Sequence, residues 1–115
     1  ELTYIRFVIE NDMDYPEKDK WKFEQLILDT ADCIQTIFES RGKCYCLNDR
    51  EFMVVLKYIK SVQVQECLKN VEAVIQNRNR HRREPIQIRY AYAQMPQECD
   101  EEVELYDLVE ERVHI

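Results

Sequence analysis

Apolar residues in this chain recur at two spacings, and the switches between them divide it into successive elements. From Thr3 to Ile9 they alternate, with Ile5, Phe7 and Ile9 on one side and Tyr4, Arg6 and Val8 on the other, which predicts a strand. Glu10 to Pro16 follows as an acidic turn. From Asp19 to Ser40, Phe23, Leu26, Ile27, Ala31, Ile34, Ile37 and Phe38 recur at helical spacing and predict a long amphipathic helix. Gly42, the only glycine, reads as its C-terminal stop. Tyr45 to Leu56 then predicts strand, tight turn, strand, with Asn48-Asp49 as turn residues that tolerate positive φ. Val64, Leu68, Val71 and Ile75 mark a second helix over 62–76. Alternation returns over Ile86–Ala93, and Glu102–Val113 reads as a last helix.

The resulting order, βαββαβα, predicts an α+β, ferredoxin-like fold with a palm-type antiparallel sheet, one face covered by the first two helices. A length of 115 residues suits a single domain spanning 1–115. The abrupt start on a strand leads us to expect a piece of a larger protein. A net charge of −7 argues against a general nucleic-acid binder. No apolar run reaches the roughly 18 residues a membrane-spanning helix requires. Five cysteines, an odd number with no framework, point to reduced thiols and a cytoplasmic setting. Cys44 and Cys46 share a strand face, but no second ligand pair completes a zinc site.

The hairpin Asn48-Asp49-Arg50-Glu51-Phe52 resembles the Gly-Gly-(Asp/Glu)-Glu-Phe signature of GGDEF, or diguanylate cyclase, domains. The likeness extends along the chain. Val8-Ile9-Glu10-Asn11-Asp12 is similar to the family's opening strand ending in Asp-x-Asp. Leu28 to Ile34 resembles its Leu-x-x-Ala-x-x-Leu helix. Ile86–Ala93 sits where the family has Thr-x-Ser-x-Gly-x-Ala, and Leu108–Val113 resembles its terminal helix.

This resemblance implies a two-metal-wall site for joining two GTP molecules, one wall an acid at the end of strand one and the other the third signature residue. Glu10 or Asp12 would supply the first wall. The second is Arg50, which repels a metal. Asp49 brings negative charge where a glycine should admit phosphate, a cost of about 4 kcal/mol at 4 Å and an effective dielectric near 20. Arg50 is the group that could offset it and hold a phosphate without metal. The guanine-recognition loop is shortened to Met13–Lys20, without glycine or histidine, and the product-inhibition Arg-x-x-Asp is replaced by Glu39-Ser40-Arg41-Gly42. Glu51 and Phe52 survive, and read as an exposed acid and a core residue.

Elsewhere, Asn77–Arg83 is a basic run, read as a solvated loop in preference to a phosphate site, and Glu98–Glu104 is an acidic run suited to a helix start. Trp21 and the seven tyrosines read as packing, and His114 as a frayed end. The preferred function is a catalytically inactive GGDEF-like regulatory or interaction domain of a bacterial signalling protein, partnered by neighbouring domains of its polypeptide or by a second copy. Alternatives are a residual nucleotide site at Asn48, Asp49, Arg50 and Glu51, with magnesium only if nucleotide binding survives, and a dimerisation module of a transcription regulator. No catalytic residue and no cofactor is assigned.

Overall fold

A computed structural model describes residues 1–11 and 19–115. The expected metal-wall candidate Asp12 lies outside the described residues. The order βαββαβα is the one the periodicities predict: β1 (Leu2–Ile9), α1 (Lys20–Phe38), β2 (Gly42–Asn48), β3 (Glu51–Lys57), α2 (Ser61–Asn79), β4 (Ile88–Met95) and α3 (Glu102–Val113). The strands form one antiparallel sheet in the order β2-β3-β1-β4. β1, the most regularly alternating strand, is therefore flanked on both sides and almost wholly buried.

Residues alternate between faces along each strand, so the sequence sorts the core into two parts. Ile5, Phe7, Ile9, Phe52, Val54 and Leu56 face α1 and α2, where they meet Leu26, Ile34, Phe38, Val64, Leu68, Val71 and Ile75. Phe7 and Phe38 pack as tilted rings 6.3 Å apart. The opposite face carries a smaller cluster, Met53 and Ala93 against Leu105 and Val109 of α3. Thus α1 and α2 share one face, as expected, and α3 covers the other.

Three local expectations are corrected. Gly42 does not cap α1; it is the first residue of β2 and its φ is not positive. A Cβ there would meet the Val55 carbonyl oxygen and come within 2.7 Å of Leu56 Cδ2, so close strand approach is what excludes a side chain. The Asn48-Asp49 turn uses no positive φ either. Instead, Asn48 Oδ1 accepts from the Arg50 backbone N–H at 2.9 Å, an Asx turn that closes the loop through a side chain. Finally, the fourth strand starts at Ile88, because Ile86 is held by Asn79: its N–H donates to Asn79 Oδ1 and its carbonyl accepts from Asn79 Nδ2.

Candidate functional site

Antiparallel pairing brings the C-terminal end of β1, the β2–β3 turn and the start of β4 to one end of the sheet. There a cleft of about 360 Å³ is lined by Glu10, Asn48, Arg50, Glu51, Arg89 and His114, over Val8 and Ile9. The sequence candidates Asn48, Arg50, Glu51 and Glu10 therefore converge, while Asp49 is exposed at the tip of the turn.

Arg50 points back across the end of β1. Its Nη1 donates to the Asn11 carbonyl oxygen at 2.7 Å and to the Ile9 carbonyl oxygen at 3.4 Å. Its guanidinium lies 5.2 Å above the Phe23 ring of α1, a geometry in which the ring face attracts the cation. Asn11 is fixed for this task. It is buried, its Nδ2 donates to the Pro85 carbonyl at 2.9 Å, and its Oδ1 accepts from the Gln87 N–H at 3.0 Å. Arg50 thus fastens the turn to the end of β1.

Glu51 is not the free acid the sequence suggested. Oε2 accepts from Asn48 Nδ2 at 2.8 Å, while Oε1 lies 3.0 Å from Arg6 Nη2 and 3.1 Å from His114 Nε2. Burial alone would raise its pKa, but the Asn48 hydrogen bond, Arg6 and His114 outweigh it and hold the carboxyl below its usual value. Arg6 itself is 3% exposed. It reaches Glu110 of α3 at 3.5 Å and stands 5.3 Å over the Tyr106 ring. Its Nε finds no acceptor among the described residues. His114, expected to fray, is anchored between Glu51 and Arg89, whose Nη2 is 3.3 Å from His114 Nδ1.

These residues do not fit a divalent cation. The third signature position holds a guanidinium that uses the carbonyls at the end of β1, Glu51 is committed to other partners, and Glu10 stands exposed. No group of three or more His, Cys, Asp or Glu side chains capable of holding a metal occurs among the described residues. The cleft offers two guanidinium groups (Arg50, Arg89) and the His114 imidazole set beside two carboxylates, which suits a small polar or anionic group.

Sequence reasoning missed Asn11, Arg6, Phe23, Arg89 and His114. Asn11 and Phe23 were read as turn and core, and Arg6 simply as part of the second side of β1. The partners of Arg6 lie far along the chain, Glu110 being separated by 104 positions. One signal was available: an arginine in the middle of a strand flanked by apolar residues needs a partner on its own face.

The chain matches no protein-family model, and a search of curated proteins finds no match. Solved structures do resemble it. The active GGEEF domain of a diguanylate cyclase from Vibrio cholerae aligns over 98% of this chain and 74% of its own, at 16% identity and a TM-score of 0.77. The GGDEF domain of DgcB from Caulobacter crescentus, in complex with c-di-GMP, aligns over 98% and 70% at 13% identity and a TM-score of 0.81. An EAL/GGDEF domain protein from M. capsulatus gives 98% and 76%, 11% identity and 0.82. The chain has the fold of GGDEF domains. No helix among the described residues is long and apolar enough to cross a membrane.

Proposed function

We propose that this chain is a GGDEF-like domain, spanning 1–115 of a larger signalling protein, that has lost the diguanylate cyclase reaction and acts as a regulatory or interaction module. The observation that carries this reading is the position of Arg50, whose guanidinium donates to the Asn11 and Ile9 carbonyls at the end of β1. In the family that this hairpin resembles, that end of the strand and the third signature side chain hold metal. A fixed positive charge there opposes a divalent cation, and without one the triphosphate of GTP has no counter-charge of the required strength. Its partners would be neighbouring domains of its polypeptide, or a second copy.

Calorimetric titration with GTP, with and without magnesium, together with an assay for cyclic di-GMP formation, tests this. The expected result is no magnesium-dependent GTP binding and no product. Restoring Asn48→Gly, Asp49→Gly and Arg50→Asp together is expected to leave the domain inactive, since Met13–Lys20 also lacks the family's guanine-loop residues. Robust product formation by the unaltered domain or by the triple variant would overturn the reading.

A second reading rests on the groups that line the cleft beside Arg50, namely the Arg89 guanidinium and the His114 imidazole. These favour a residual nucleotide site that works without metal. Magnesium-independent GTP binding that disappears in Arg89→Ala would support it; no binding at all would remove it.

A further inference from the structure

The basic run Asn77–Arg83, which spans the end of α2 and the segment after it, plays no part in the turn cleft, and its structure departs from the solvated loop expected of it. Arg78 donates from Nη1 to Asp29 at 3.2 Å and from Nη2 to Asp32 at 2.6 Å. Arg82 pairs with the same Asp29 through Nη1, and its Nε donates to the Glu84 carbonyl at 3.0 Å. A guanidinium carries five N–H donors. Each arginine is thus locked in orientation by an acid of α1 while keeping donors uncommitted by these bonds.

Beside this lattice of charges opens a cavity of about 360 Å³ between the start of α1 and the segment after α2. Lys22, Arg78, Arg82 and Arg83 line it, against Asp29 and Glu84, so it is net basic in a chain whose net charge is −7. Gln25, His81 and Trp21 complete the lining. Contrary to the expectation of packing, this indole is 67% exposed and offers a flat apolar surface next to the cations. An aromatic face adjoining fixed guanidinium donors matches a ligand that has a planar ring at one end and an anionic group at the other.

We propose that this cavity binds a small anion carrying a planar ring, the class that mononucleotides represent, with the ring on Trp21 and the anionic group on Arg82, Arg83 and Lys22. Size and field both favour a small ligand over a polyanion. The volume lies within the roughly 300–1,000 Å³ of small-molecule sites. A nucleic acid or acidic protein running beyond the cavity would meet the acidic field of the rest of the chain. The proposal does not depend on how the turn cleft is read.

Trp21 is the only tryptophan in the chain, so intrinsic fluorescence reports on this cavity directly. The purified chain is titrated with adenosine 5′-monophosphate, with adenosine (ring without charge) and with ribose 5-phosphate (charge without ring), and calorimetry repeats each titration independently of optical effects. Saturable binding of the monophosphate is expected, at least about tenfold tighter than either fragment. Arg83→Glu, at an exposed position, is expected to weaken it about tenfold or more, equivalent to the loss of one charge-assisted contact, with circular dichroism unchanged. Absence of saturable binding overturns the proposal. So does equal affinity for ribose 5-phosphate, which would mean a plain anion patch. Loss of binding in Arg89→Ala with none in Arg83→Glu would move the ligand to the turn cleft and equally sink the idea.

Discussion

The two faces of the sheet are built on different principles. Beneath α1 and α2 lies an apolar layer centred on Ile5, Phe7, Val54, Phe38 and Val71, each fully buried. Beneath α3 the apolar cluster is small, and beside it Arg6 is buried with Glu51, Glu110 and the Tyr106 ring around it. Apolar burial is non-directional and roughly proportional to area, so the first face secures the fold whatever happens at the turn. The second face depends on particular partners, because a buried charge is costly unless it is paired. It is also the face that connects the β2–β3 turn to the C-terminal helix, through Glu51.

The comparison can be broken hardest on the apolar side. Phe38→Ala, which empties a fully buried ring site against Phe7, is expected to cost about 3–5 kcal/mol in a urea unfolding series. A cost below about 1 kcal/mol would mean that α1 is not the principal cover of this face. On the charged side the expected pattern is asymmetric. Glu51→Ala leaves Arg6 with the longer Glu110 contact and the Tyr106 ring, and should cost about 3 kcal/mol. Arg6→Met fills the space and leaves Glu51 with Asn48 and His114, so it should cost clearly less. Equal costs would show that the pair contributes through packing alone. Next, Gly42→Ala is expected to lose about 1–3 kcal/mol, since the methyl meets the Val55 carbonyl of the β3 backbone, which cannot yield as the neighbouring Leu56 side chain can.

The smallest effect is the most diagnostic of the charged face. Glu51 is held below its usual pKa by Asn48, Arg6 and His114 acting against burial, and Glu98 by its hydrogen bond from Arg112. A depressed carboxyl contributes stability above its unfolded pKa, near 4.3 for glutamate. That contribution is lost as pH falls through the lower folded value. Unfolding midpoints measured down through this acidic window should therefore decline, and the decline should be shallower in Glu51→Gln. An unchanged slope would remove Glu51 from the network.

How much of this was legible follows from the range over which each feature is specified. The alternation in Thr3–Ile9 and the helical spacing of Phe23 to Phe38 are local, and both elements and their buried faces follow from them. Asp19 was legible as a helix-terminal residue for the same reason: it accepts from the Lys22 N–H at 3.1 Å, three positions on. Gly42 was misread because its reason lies across the sheet, in the Val55 carbonyl. The hairpin candidates were found because they are contiguous, but the partners that define their chemistry are not. Asn11 reaches Pro85 and Gln87 across the strand order, and His114 reaches Glu51 through the packing of α3 on the sheet. Trp21 failed for another reason: large aromatics are usually buried, and nothing in the neighbouring residues signals that this one lies on an outer wall.

Arg50 changes what kind of signal the turn can respond to. A bound ion exchanges with solution, so a site that uses one varies with supply and can be emptied by a chelator. A guanidinium covalently attached to the turn has no off-rate and loses no translational freedom on arrival. The turn is therefore held at the end of β1 by a permanent internal counter-ion, and its geometry should be indifferent to the divalent-ion content of its surroundings.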